Sequence, residues 1–136
     1  MTLTSRLFTL IGALTLACSS FAGPETCPSV SAIKAEGLST AMELFPKVYY
    51  AYNVSEYGSD YSWFFAVGLF ASNTKTEAVA EGNKYLPTLT GNPIPLHIED
   101  YWFCDYEIDG GLAAVAVYTD VGSAPLKIKR FFHQIH

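Results

Sequence analysis

The sequence predicts an α+β domain: an antiparallel sheet of about four strands with helices packed on one face, in the order α-β-β-α-β-β. Three observations lead there. Residues 100–120, DYWFCDYEIDGGLAAVAVYTD, read as two strands folded on Asp109-Gly110-Gly111, because Asp-Gly and Gly-Gly supply the positive φ of tight hairpin turns. Residues 61–71 are apolar on both alternations, as a strand covered on both sides must be. Thr74-Lys75-Thr76-Glu77 is a capping box, in which the threonine and glutamate side chains bond free backbone groups at a helix start.

In chain order, residues 27–37 read as a short helix. Pro28 suits its first turn, Gly37 its C-terminal cap, and Val30, Ala32 and Ile33 its buried side. Residues 38–45 fit helix or strand equally, and Pro46 ends them either way. Residues 47–54 read as a strand with Val48, Tyr50 and Tyr52 on one face and Tyr49 and Ala51 on the other. A turn-rich connection follows, in which Asn53-Val54-Ser55 is formally a glycosylation sequon. Along the next strand Tyr61, Trp63, Phe65, Val67 and Leu69 alternate with Ser62, Phe64, Ala66, Gly68 and Phe70, which places it mid-sheet.

The helix after the capping box runs to about Leu86, and Gly82 permits its close approach to the sheet. Residues 87–95, with Pro87, Gly91, Pro93 and Pro95, cross over to the hairpin. There Trp102, Cys104, Tyr106 and Ile108 share one face. A two-residue loop sets them opposite Ala113, Val115, Val117 and Thr119. Tyr101, Phe103, Asp105 and Glu107 share the other face, opposite Leu112, Ala114, Ala116 and Tyr118. The tail from Leu126 onward concentrates Lys127, Lys129, Arg130 and two histidines, and fits an edge strand or a short basic helix.

Residues 1–22 stand apart. One positive charge, an apolar run over residues 7–17 and the small-residue pattern Ser20-Phe21-Ala22 make a secretory signal cleaved after Ala22, with residues 23–136 as a single domain. The alternative is a lipoprotein signal in Leu14-Thr15-Leu16-Ala17-Cys18, with Cys18 as the anchor. No stretch approaches the ~20 apolar residues of a transmembrane helix. The expectation is therefore export to the periplasm or the medium. Removing 22 residues from 136 leaves 114 and two of the three cysteines, Cys27 and Cys104, which in an oxidising compartment read as one disulfide. Loss of Arg6 takes the net charge from −5 to −6, which argues against nucleic acid or anionic lipid as a partner.

Enzyme chemistry is not expected. There is no G-x-S-x-G, no H-E-x-x-H and no Gly-rich phosphate loop, and two of the three histidines, His133 and His136, sit in the tail. Asp100, Asp105, Glu107 and Asp109 lack calcium-loop spacing, and neither mature cysteine has zinc or redox spacing, so no metal site is expected. Aromatics, at 15%, include nine tyrosines. A flat ligand such as haem needs an apolar slot, an axial His or Tyr and cations for its propionates. Tyr52, Tyr57, Tyr61, His97 and Tyr101 are the candidate ligand-binding residues, and Lys127, Lys129 and Arg130 the candidate propionate partners. Cys27-Pro28 matches the short Cys-Pro haem-contact motif, but a disulfide removes its thiolate.

Across nearly the whole mature chain the sequence resembles a largely uncharacterised family of small exported proteins from intracellular bacterial pathogens, some labelled hemin-binding protein. The residues that carry the resemblance are Cys27-Pro28 with Ile33-Lys34 and Gly37, then Tyr52-Asn53-Val54-Ser55-Glu56-Tyr57, Trp63-Phe64, Glu81-Gly82-Asn83 and Cys104-Asp105-Tyr106. These are scattered signature positions and no catalytic motif. The resemblance implies hemin binding outside the cytoplasm and carries over no ligand residue. The alternative is a secreted protein-interaction module, inhibitor or effector-like, that presents its aromatic strand face to another protein and takes no small molecule.

Overall fold

The structure, a computed structural model, describes residues 23–135; the segment expected to be a secretory signal, with Cys18, lies outside them. Ser29 opens helix α1 (Val30–Glu36) by accepting the Ala32 N–H on its hydroxyl at 3.2 Å, and Gly37, at φ 73°, closes it. Strands β1 (Thr40–Phe45), β2 (Val48–Ser55) and β3 (Trp63–Ala71) then form a meander. The ambiguous residues 38–45 are a strand because the turn at Pro46-Lys47 folds them straight back onto β2, with Lys47 at φ 62° donating its N–H to Glu43. Helix α2 (Lys75–Tyr85) starts at the predicted box: Thr74 Oγ1 accepts from the Glu77 N–H, and the Glu77 carboxylate accepts from the Asn73 N–H, both at 3.1 Å. A 3-10 turn (Leu86–Thr88) leads to β4 (Leu96–Ile98), β5 (Tyr101–Tyr106), β6 (Ala113–Tyr118) and helix α3 (Ala124–Ile135).

This corrects the predicted architecture. The sheet has six strands and the described residues three helices, in the order α-β-β-β-α-β-β-β-α, and helices cover both faces. Strand order is β1-β2-β3-β6-β5-β4 with every neighbouring pair antiparallel. On one face α1 and α2 enclose Ile33, Tyr49, Trp63, Phe65, Val67, Phe70 and Ala116; on the other, α3 covers Tyr50, Phe64, Ala66, Val115 and Val117 with Ile128 and Phe132. The second layer follows from the central strands being apolar on both alternations, which one layer of helices cannot bury. The tail supplies it because Ala124, Ile128, Phe131 and Phe132 recur at helical spacing.

Two alternations also shift. In the hairpin Cys104 lies opposite Ala116 and Trp102 opposite Tyr118, one place away from the pairing a two-residue loop gives. The pairing is centred on Gly110, so the connection takes up one residue more than a two-residue turn, while Glu107 bonds outward and exchanges both backbone hydrogen bonds with Thr90 at 2.9 and 3.0 Å. In β3 the register against β2 slips between Tyr49 and Tyr50, which pair with Phe70 and Gly68. Phe70 therefore joins Trp63, Phe65 and Val67 on the α1/α2 face, and Leu69 turns toward α3.

The N-terminal segment is fastened to β5. Cys27 and Cys104 form a disulfide across Cα atoms 6.0 Å apart and 77 residues distant in sequence. Closing a loop of that size contributes about 4.5 kcal/mol through the unfolded state in the chain-entropy model. Beside it the buried Tyr106 hydroxyl donates to the Pro28 carbonyl at 2.6 Å. Gly82 meets the sheet as expected: a Cβ there would stand 2.5 Å from Leu38 Cδ1 and 3.1 Å from Ala51 Cβ. Next to it the Asn83 amide brackets the Leu38 backbone, accepting from its N–H at 2.9 Å and donating to its carbonyl at 3.0 Å.

Candidate functional site

The two faces of the sheet are covered unequally, and the site follows from that. On the α1/α2 face, two helices, the N-terminal segment and the 3-10 turn reach from β1 to β5. On the other face α3 alone packs over β3 and β6, while β5 and β4 run out beside it with Tyr101 and Phe103 half-buried. The step between them is a groove of about 390 Å³ lined by Ile98, Tyr101, Phe103, Lys127, Arg130 and Phe131, with Glu99 and Gln134 at its rim. Such a volume lies at the small end of ligand sites.

Each wall has a physical cause. Tyr101 and Phe103 lie two apart on β5 and so share its α3-facing side. Phe131 leans on Phe103 with ring centroids 5.4 Å apart, while the buried Phe132 stacks on Tyr50 at 5.2 Å and seats the helix. Lys127, one helical turn before Phe131, lies with its ammonium 5.2 Å from the Tyr101 ring centroid and 2.9 Å from the Asp100 carboxylate. Its side chain is only 11% exposed. Its hydrogen bond to Asp100 holds that carboxyl below the usual carboxylate range. Arg130 lies on the same wall and makes no ion pair among the described residues.

Of the residues singled out by sequence, Tyr101, Lys127 and Arg130 meet in this groove. The others lie elsewhere. Tyr52 shares the face but is stacked on Phe64 at 4.5 Å on β2, three strand spacings from β5, or about 14 Å. Tyr57 is buried on the opposite face, its hydroxyl 3.4 Å from the Asn53 carbonyl, and burial pushes its phenol up to about 12. Tyr61 packs edge-on to Tyr118 and lines a shallow cleft with Gly23, Glu25, Thr26 and residues 58–60. His97 pairs with Trp102, stacks flat on its ring at 4.2 Å, and so faces away from Tyr101. Lys129 is exposed and does not line the groove.

Sequence reasoning missed Ile98, Phe103 and Phe131. The signal was present in Phe131-Phe132, but it becomes a wall only once the tail is a helix. A larger bowl of about 530 Å³ lies between α2 and the Gly110 turn, but Glu77 and Glu81 line it and no cation does, so it offers nothing to an acidic ligand. Among the described residues no three His, Cys, Asp or Glu side chains cluster to hold a metal ion.

What fold and groove define together is a disulfide-stapled α+β domain with one cation-rimmed aromatic groove. A family model described as domain of unknown function, DUF4949, matches residues 26–131, which is most of the described chain. The chain belongs to that family. No curated protein and no solved structure matches it. Among the described residues no helix is long and apolar enough to cross a membrane.

Proposed function

We propose that this chain is an exported binding protein and that hemin is the ligand of the groove between α3 and β5. One observation supports the reading above the others: a phenol, an aromatic floor and two cations converge there and at no other described cavity. Tyr101 would approach the iron, Phe103 and Phe131 the porphyrin plane, and Lys127 and Arg130 the propionates. The signal segment and the disulfide support export.

The test is a hemin titration of the chain from Gly23 onward, followed in the Soret band. The expected result is saturation at one equivalent, loss of the tyrosinate signature in Tyr101→Phe, and weaker binding in the Lys127→Gln, Arg130→Gln double variant. Uptake that never saturates, or a spectrum unchanged by Tyr101→Phe, overturns the assignment.

A further inference from the structure

We propose that Asp100 is a built-in competitor for the groove: its carboxylate holds the place at Lys127 that the acid group of an aromatic carboxylate ligand takes on binding, so that entry exchanges one carboxylate for another. This deepens the reading above. It rests on the groove being the ligand site, and not on the ligand being hemin.

The arrangement follows from one turn. Ile98 pairs with Tyr101, which leaves Glu99 and Asp100 as the two-residue connection between β4 and β5, beside the groove. The Thr119 hydroxyl donates to the Asp100 carbonyl at 3.0 Å and ties that turn to the end of β6. Lys127 reaches the same point from α3, its ammonium 2.9 Å from the Asp100 carboxylate and 5.2 Å from the centre of the Tyr101 ring. A cation set against the aromatic wall is thus already held by the protein's own acid. Arg130, the groove's other cation, makes no ion pair among the described residues, and Glu99 lines the groove without pairing with either cation. Apart from the Tyr101 phenol, no other titratable side chain lines it.

Exposure decides which partner yields. The Lys127 side chain is 11% exposed and lies against Tyr101, whereas that of Asp100 is 48% exposed. A half-exposed carboxylate gives up an ion pair to water at small cost, because such pairs contribute little in high dielectric. An ammonium that stays mostly buried needs another partner in its place. Asp100 therefore swings out, Lys127 stays, and the ligand's acid group supplies the missing partner. Acidification is a poor way to free Lys127. Their contact holds the Asp100 carboxyl below the usual carboxylate range, so an ordinary carboxylic acid ligand is neutralised first. The competition bears on acids alone: a neutral aromatic molecule leaves the pair intact, and removing Asp100 does nothing for it.

The experiment uses the hemin-free chain from Gly23 onward, titrated with pyrenebutyrate, an aromatic acid, and with pyrenebutanol, its neutral counterpart, both followed in pyrene fluorescence. Asp100→Asn keeps the side-chain shape at an exposed position. It is expected to bind pyrenebutyrate about five- to tenfold more tightly than wild type, and pyrenebutanol equally well. Adding Lys127→Gln to Asp100→Asn is expected to remove the gain. Equal affinity of wild type and Asp100→Asn for pyrenebutyrate overturns the proposal, as does failure of both to bind it. A gain shared by the alcohol, or one that survives Lys127→Gln, overturns it too, since the groove has then merely widened or lost a repelling charge. The hemin titration is read separately. Failed saturation with hemin beside the expected gain for pyrenebutyrate refutes only the hemin reading, and saturation with hemin beside no gain refutes only this one.

Discussion

Replacing Gly82 by alanine sets two effects against each other, and the structure decides between them. In an exposed helix interior, glycine to alanine stabilises by about 1 kcal/mol, because glycine loses more backbone freedom on folding. Gly82 is buried, and the new methyl would meet Leu38 Cδ1 at 2.5 Å and Ala51 Cβ at 3.1 Å. The leucine tip can rotate away, although Asn83 clamps its backbone with two hydrogen bonds. Ala51 cannot move, since it lies in β2 between β1 and β3. Overpacking of this kind costs about 1–3 kcal/mol. The net expectation is a loss of about 1 kcal/mol, or a fall in Tm of about 4 °C for a domain of this size. Urea unfolding should show a lower midpoint with an unchanged m-value. A Gly82→Ala protein as stable as wild type, or more so, would refute the close seating of α2 on β2.

Phe132→Ala removes a fully buried ring stacked on Tyr50 and should cost about 3–5 kcal/mol, read as a lower urea midpoint. Because Phe132 seats α3, hemin uptake should weaken in the same protein. Replacing both Cys27 and Cys104 by alanine should destabilise by about 4 kcal/mol, and a loss below ~1 kcal/mol would mean the unfolded chain is already constrained. Burial, then Glu107, raises the Asp105 carboxyl above its usual range, so the folded protein binds that proton more tightly than the unfolded chain. Stability from this group therefore rises as pH falls through its folded pKa, and Asp105→Asn should raise Tm at pH 7 by a margin that shrinks through that folded pKa and is gone below about pH 4. Asp100 runs the other way. Its carboxyl is held low by Lys127, so its contribution is present above about pH 4 and lost as pH falls through the folded value. Asp100→Asn should abolish that acid-side loss in a Tm series against pH.

Legible in the residues alone were the local devices: the Thr74–Glu77 box, the Gly37 cap, the close approach at Gly82, the two mature cysteines as one pair, and the two-sided burial of β3. Each depends on neighbours a few positions apart or on the chemistry of a single residue type. What tertiary structure decided was register, face and layer. Whether residues 38–45 made a strand depended on β2 lying open beside them, and whether the tail made a helix depended on a bare apolar face waiting above β3 and β6. The hairpin register turned on how many residues the Gly110 connection takes up, and beyond it Glu107 bridges Thr90, a partner 17 positions back that no local pattern encodes. The groove belongs to this second kind. Tyr101 and Arg130 lie 29 positions apart in the linear chain, and they line one groove only because α3 stops short of β4. Helix caps are settled within one turn; which side chains meet across a sheet is settled by pairings that the chain makes only when it closes.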